Sequence, residues 1–425
     1  MLGGQYNPMK TMKSSVRPPL LLAGLMLHLA ATCALAGLPS GPQGPGRFGA
    51  YQTRLAFTPE WDAPWRVGPR CDVVLRFDHT AARLVFWHGA NYVPCWVNEA
   101  GQWYSDGAVL RPGAGPQQDR LCRFAFASVI ESSDARVVVR WRYALVDAKG
   151  ELIHADPVTR WNDWVDECYT IYPDASGVRS VTLHSSEWSQ PYWVQQSLLI
   201  RQPGEPAQAL GLAPASHALT GGQLQTIPIK GGTFFHAVAA PADNVDLPES
   251  WGDWPARGAA EPAGHEFIGA LRWQPWAGTR TSKSWRMLVG LASGSGADSE
   301  ILTAAQAWLT AAPLELAGAD FTSAGYQADE RAYLLHSVRP GTPGVLKLTL
   351  AGTSSEPLVN PAFVIKGWGK SAVSLSVNGT PVPRGPAFRY GYRKTVAAAD
   401  LIVWTRCAAT AAASFELQPL SHANE

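Results

Sequence analysis

The feature that most constrains this chain is its short runs of period-two apolar/polar alternation, broken by Gly, Asp, Asn and Pro, with almost no stretch at helical period. Such runs offer one apolar face each and must pair edge to edge, so the chain is predicted to be all-β. The clearest run is 136–145, where Val137, Val139, Trp141, Tyr143 and Leu145 share one face while Arg140 and Arg142 project from the other. Residues 180–184 read the same way, with Val181 and Leu183 inward and Ser180, Thr182 and His184 outward. Further strands are predicted at 73–77, 83–87, 167–172, 192–200, 264–273 and 284–291. Their number predicts a large two-sheet, supersandwich-like β-sandwich over residues 50–315.

The one helical pattern is 298–309, with Asp298 or Ser299 as the expected cap and Ile301, Leu302, Ala305 and Trp308 on one stripe. Beyond Ala311-Ala312-Pro313 the texture returns to strands, at 333–335, 344–351, 362–366, 372–377 and 400–405, with the hairpin signal Asn378-Gly379 between two of them. These predict a smaller, immunoglobulin-like β-sandwich over 316–425, frayed in its last five residues.

At the other end, Lys10, Lys13 and Arg17 precede the apolar run 20–27, and Ala34-Leu35-Ala36 precedes Gly37. This is the layout of a signal peptide over 1–36, followed by a Gly/Pro-rich linker over 37–49. A secreted or periplasmic protein without a membrane span is expected. Past the leader stand Cys71, Cys95, Cys122, Cys168 and Cys407, with no CxxC pair and no metal-type spacing. No metal site or cofactor is predicted, a structural calcium being left open; one or two disulfides among the first four cysteines are expected.

A net charge of +1 without a basic block argues against nucleic acid as a partner. The 18 Trp point elsewhere, because an indole offers a flat apolar face with one polar edge, suited both to sandwich cores and to stacking on sugar rings. W-x-x-W recurs at Trp161/Trp164, Trp251/Trp254 and Trp273/Trp276. A polysaccharide is the predicted partner; no pattern speaks to oligomeric state.

Two segments concentrate chemistry. In 87–96, Gly89 relaxes a loop that presents His88, Asn91 and Tyr92, groups suited to proton transfer and hydrogen bonding. The second joins Asp163, Asp166, Glu167, Tyr169 and Tyr172 to His184, Glu187, Trp188, Tyr192 and Trp193. If the 136–145 strand lies beside it, Arg140 and Arg142 fall near Tyr169 and His184, an arrangement that would hold an anionic sugar through bidentate guanidinium contacts. Uronate cleavage by β-elimination needs a neutralised carboxylate, a base for the C5 proton and an acid for the leaving oxygen. Arg142 and Asn91 are candidates for the first role, and Tyr169, His184, His88 and Tyr92 for base and acid. Arg140, Glu167, Glu187, Trp188 and Trp254 complete the candidate substrate-binding set. Hydrolysis would instead use two carboxyl groups, Glu167 with Glu187 or Asp163. The absence of G-x-S-x-G, a phosphate-binding Gly loop and H-E-x-x-H removes hydrolase-triad, nucleotide and zincin readings.

The strings Trp87-His88-Gly89-Ala90-Asn91-Tyr92 through Trp103-Tyr104, Glu131 through Tyr143, and Asp166-Glu167-Cys168-Tyr169-Thr170-Ile171-Tyr172-Pro173-Asp174 resemble secreted bacterial polysaccharide lyases of family 40, the ulvan-lyase type. The resemblance covers about residues 50–335. It implies a β-sandwich lyase domain, a substrate of sulfated rhamnose and uronic acids, and a product carrying an unsaturated uronate. The chain departs from the pattern where Arg140 replaces an expected His, and where Trp251-Gly252-Asp253-Trp254 lacks a His between its rings. A polysaccharide lyase is therefore the leading expectation, with a glycoside hydrolase and a non-catalytic carbohydrate-binding protein as alternatives.

Overall fold

The computed structural model describes residues 46–55, 70–105, 107–111, 113–116, 119, 121–158, 161–187, 192–200, 215–229, 232–239, 265–272, 282–396 and 398–420, with backbone alone over 193–200 and 265–272. Two eight-stranded antiparallel sheets form the larger sandwich. The first sheet runs Gly49–Thr53, Asp72–Arg76, Arg83–Phe86, Pro94–Val97, Trp103–Ser105, Trp193–Ile200 and His265–Arg272, with Val109–Leu110 also paired to Trp193–Ile200. The second runs Ala215–Leu219, Gly222–Ile229, Thr233–Ala239, Ser282–Ser293, Ser176–His184, Trp164–Ile171, Val137–Ala144 and Phe126–Ser132. Facing side chains of both sheets share one core, including Val73, Phe86 and Trp96 from the first and Trp141, Tyr169, Leu183 and Phe235 from the second. Phe86 meets Tyr169 edge to face at 5.5 Å, and the Tyr104 and Phe235 rings lie 4.4 Å apart. Alternation carries this arrangement: Val137, Val139, Trp141 and Tyr143 are buried while Val138, Arg140 and Arg142 are partly exposed.

The helix spans Ala297–Leu309 and lays Ala297, Ile301, Ala305 and Trp308 on Val178, Leu224, Val238 and Leu288, on the outside of the second sheet. Its N-cap is Gly296, with no side-chain cap, so Asp298 and Ser299 lie inside the first turn rather than capping it. Acidic Asp298 and Glu300 still favour that end through the helix dipole.

The smaller sandwich that follows has two five-stranded sheets. Their shared core includes Leu348, Leu375, Phe415 and Leu417 from one sheet and Leu335, Phe363, Leu401 and Val403 from the other. Leu314–Ala317, which straddles the expected boundary at 315/316, pairs with Leu346–Leu350 of this sandwich. Asn378 and Gly379 both take positive φ and close the hairpin of Val373–Val377 with Thr380–Val382. Where the two sandwiches touch, Arg331 holds Asp174 at 2.5 Å, Asn360 donates to the same carboxylate at 2.9 Å, and Arg136 bridges Glu131 and Glu330.

The expected disulfides are not formed: Cys71, Cys95, Cys122, Cys168 and Cys407 are all free thiols. The Cys95 and Cys122 thiols donate instead to the Val93 and His88 carbonyls. No helix among the described residues is long and apolar enough to cross a membrane. The leader read at 1–36 lies outside the described residues.

Candidate functional site

The structure places the 87–92 loop inside the protein. His88, Asn91 and Tyr92 are all buried. Asp72 accepts from the His88 backbone N–H at 2.8 Å, from its Nδ1 at 2.9 Å and from the Leu55 N–H at 2.8 Å, so this aspartate ties the His88 loop to the segment at Leu55. Asn91, in the left-handed region, donates Nδ2 to the Asp119 carbonyl at 2.6 Å and accepts from Trp141 Nε1 at 3.1 Å. Tyr92 donates its hydroxyl to the Arg70 carbonyl at 3.1 Å; burial, then Asp72, push that phenol well above its usual range. Gly89 is required by packing rather than by loop flexibility, since a Cβ there would overlap the buried Trp87 ring.

The second segment is split by alternation along Trp164–Ile171. Glu167 and Tyr169 point inward and have no exposed surface. Glu167 accepts from Arg179 Nε at 2.8 Å, Arg179 Nη2 at 3.0 Å, Tyr143 Oη at 2.8 Å and Tyr169 Oη at 3.1 Å. Its carboxylate is thus saturated inside the sandwich, closed to substrate. Arg140 and Arg142 do not face Tyr169, as the sequence reading placed them; they lie on the opposite, solvent side with Asp166 and His184. There Asp166 binds Arg140 Nη2 at 2.5 Å and Nε at 2.8 Å, with Arg142 Nε at 3.6 Å and His184 Nε2 at 3.7 Å. Arg142 also lies over the Trp164 ring, 5.2 Å from its centroid. Burial, with Arg142 and Arg140 opposing Asp166, keeps the His184 imidazole below its usual pKa. Trp188 and Trp254 lie outside the described residues.

A different cluster forms at the end of the sandwich. Asp163 precedes Trp164–Ile171, Ser185 and Glu187 follow Ser176–His184, Tyr192 precedes Trp193–Ile200, and Arg111 follows Val109–Leu110. His154 reaches them from the loop between Val146–Asp147 and Trp164–Ile171, which is held by Leu145 N–H to Asp163 O at 3.0 Å and Asp163 N–H to Ile153 O at 3.3 Å. His154 has φ 52°, a conformation that a histidine keeps only where its surroundings impose it.

Asp163 is fully buried, and its Oδ2 lies 2.8 Å from both His154 Nδ1 and Tyr192 Oη. Its Oδ1 is buried without a hydrogen-bond partner among the described residues. Arg111 Nη1 lies 3.1 Å from Tyr192 Oη, 2.9 Å from His154 Nδ1 and 3.9 Å from Asp163 Oδ2. Ser185 Oγ and the Glu187 carbonyl each stand 2.7 Å from Tyr192 Oη. His154 Nδ1 stands between Asp163 Oδ2, which can only accept, and Arg111 Nη1, which can only donate; we assign its proton to the carboxylate, so that Arg111 faces the ring without a hydrogen bond to it. Nε2 is then left with its lone pair, and the His154 side chain keeps 26% exposure. Burial first, then the Asp163 charge, push the Tyr192 phenol well above its usual range, so it stays protonated at neutral pH. A base, an acid, a cation and an orienting carboxylate therefore stand together. The sequence reading contained Asp163 and Tyr192 but passed over His154 and Arg111, whose isolated positions on loops give no spacing signal; the folded chain alone brings 111, 154, 163 and 192 together.

No protein-family model matches the chain, and neither does any curated protein sequence. Solved structures similar to it include a heparan sulfate lyase mutant from Pedobacter heparinus, at 10% identity and TM-score 0.35, matched over 66% of this chain and 39% of that one. An alpha-mannosidase from Enterococcus faecalis is similar at 8% identity and TM-score 0.33, over 79% and 42%. The chondroitin AC lyase from Streptomyces coelicolor is similar at 10% identity and TM-score 0.31, over 82% and 48%. The chain thus spans less than half the length of each of these proteins.

Proposed function

We propose that the protein is a polysaccharide lyase that cleaves a uronate-containing glycan by β-elimination at the His154–Asp163–Tyr192–Arg111 cluster. The observation that carries this reading is the shared Asp163 Oδ2, 2.8 Å from both His154 Nδ1 and Tyr192 Oη with Arg111 beside them. His154 Nε2 takes the C5 proton of the uronate, and the C5–H electrons form the C4=C5 double bond as the C4–O bond breaks. Tyr192 protonates the departing oxygen. Arg111 stabilises the charge that builds on the uronate carboxylate, and Asp163 orients the imidazole and stabilises its protonated form. Glycoside hydrolysis with Glu167 is disfavoured, because that carboxylate is buried and already accepts four hydrogen bonds. A sulfated, ulvan-like polymer is the finer substrate reading, and export to the periplasm or medium goes with it.

The test is to incubate the protein with ulvan and a panel of other uronate polysaccharides, following the ultraviolet absorbance of an unsaturated uronate. A rise that is lost in His154→Ala and Tyr192→Phe supports the reading. No rise and no new reducing ends on any of them would leave a carbohydrate-binding protein in its place.

A further inference from the structure

We propose that the solvent face of the second sheet, where it is left open by the helix, is a binding track for the anionic groups of a polysaccharide. This extends the glycan reading above but does not depend on its elimination chemistry. The face changes character along its strands. At one end, Val178, Leu288, Val238 and Leu224 are covered by the helix. Beyond them the outward positions become Ser180, Thr182 and His184 on one strand and Arg286 and Ser284 on its neighbour.

Strand register sets these side chains in rows. Arg140, Cys168, Ser180 and Arg286 are successive partners across four strands, and Arg142, Asp166, Thr182 and Ser284 form the next row. Arg140 and Arg286 are therefore three strand spacings apart, about 14 Å. Between them lies a floor of small polar side chains, where Thr182 Oγ1 and Ser284 Oγ meet at 2.8 Å. Among the described residues, Arg140, Arg142 and His184 gather around the Asp166 carboxylate on this surface. Asp166 contacts Arg140 and reaches Arg142, with the His184 imidazole beside them, so two guanidinium heads share one carboxylate there. Trp164 adds a half-buried ring beside Arg142.

The track also has a direction. Trp164 and His184 are paired at its end, and the next residues along the two strands are Asp163 and Ser185 of the His154 cluster. A polymer lying on the floor would lead its next unit to that cluster. Sulfate esters and uronate carboxylates share the planar or trigonal oxygen display that guanidinium groups recognise.

Affinity electrophoresis of the full chain through gels holding dextran sulfate, polygalacturonate or neutral dextran tests this, with duplex DNA as a fourth polymer. Retardation by dextran sulfate or polygalacturonate, and not by neutral dextran, is expected; which of the two retards more identifies sulfate or carboxylate. Arg140→Gln with Arg142→Gln should weaken that binding at least tenfold. Ser180→Glu, which adds an anion to the floor while leaving every ion pair in place, should weaken it as well in a chain with unchanged circular dichroism. Equal retardation of all three proteins, of neutral dextran, or by DNA as strongly as by the glycans would overturn the track. Tyr192→Phe should bind like the unmodified chain while losing elimination; binding by the unmodified chain with no elimination product would sink the lyase reading alone.

Discussion

Arg179 and Glu167 meet at 2.8 Å wholly inside the larger sandwich, each without exposed surface. They lie on neighbouring strands two positions out of direct register, Glu167 opposite Val181 and Arg179 opposite Tyr169, so the ion pair runs diagonally across the buried face. Two tyrosine hydroxyls fill the remaining acceptor sites of the carboxylate. Removing one partner of such a pair leaves an uncompensated buried charge, which costs about 3–5 kcal/mol. Glu167→Ala should therefore lower the denaturant midpoint sharply at unchanged slope. A catalytic role would show the reverse pattern, with full stability and lost turnover.

Asp163 is also buried, but its partners include a histidine that reaches solvent. Asp163→Asn keeps the shape while removing the charge that orients His154 Nδ1. Under the lyase reading, product formation should fall about 10²–10⁴-fold, the range for losing general acid–base assistance. Because burial and Asp163 raise the Tyr192 pKa, its acid role should persist at alkaline pH beyond the ordinary tyrosine range, and Asp163→Asn should bring the alkaline limb of the rate profile downward. Rate measurements across pH on both proteins check this, and an unmoved alkaline limb would remove Tyr192 as the acid.

The strands were legible because alternation is a local signal. Val137, Val139, Trp141 and Tyr143 declare their face without knowledge of any partner. The three strands at Ala215–Leu219, Gly222–Ile229 and Thr233–Ala239 were missed, since the first is mostly exposed and shows no apolar alternation and the second carries Pro228. The site was less legible for the same physical reason. Asp166 and Tyr169 share one strand beside the arginines, yet odd and even positions on a strand face opposite sides of the sheet, so Asp166 meets Arg140 and Arg142 while Tyr169 turns into the core. His88 shows a second limit: only the fold reveals that Asp72 claims its imidazole.

The cysteines give an independent check on the fold. Five free thiols at 71, 95, 122, 168 and 407 predict that reduction leaves the mass of the region from Cys71 onward unchanged. In the native protein Cys71, the exposed one, should react first with a thiol reagent, while buried Cys95 and Cys122 wait for unfolding. Burial raises the pKa of Cys168 and Cys407 and slows them too, since the thiolate is the nucleophile. Peptide mapping after brief alkylation reads the order; a Cys71–Cys95 or Cys122–Cys168 bridge in the map would contradict the structure.

Acid should weaken the protein in two stages, both rooted near the junction of the sandwiches. His236 is buried with neither ring nitrogen paired among the described residues, and burial lowers its pKa to about 4, with Asp174 opposing and Arg331 adding to the shift. Above pH 6.5 it is neutral in both folded and unfolded chains and stability is unaffected. As pH falls from there towards 4, the unfolded chain takes up a proton that the folded chain refuses, and stability drops by an amount on the order of 3 kcal/mol. Asp174 acts lower on the scale. Burial alone would raise its pKa, but Arg331 and the hydrogen bond from Asn360 hold it below the ordinary value of 3.8, so its contribution is present above that value and is lost as pH falls through the lowered one. His236→Phe removes the two unpaired nitrogens while keeping an aromatic ring. It should flatten the stability profile between pH 6.5 and 4 and leave the decline below 3.8 in place. Urea unfolding at half-unit pH steps separates the stages, and an unchanged slope between 6.5 and 4 in the variant would show that another group sets the first one.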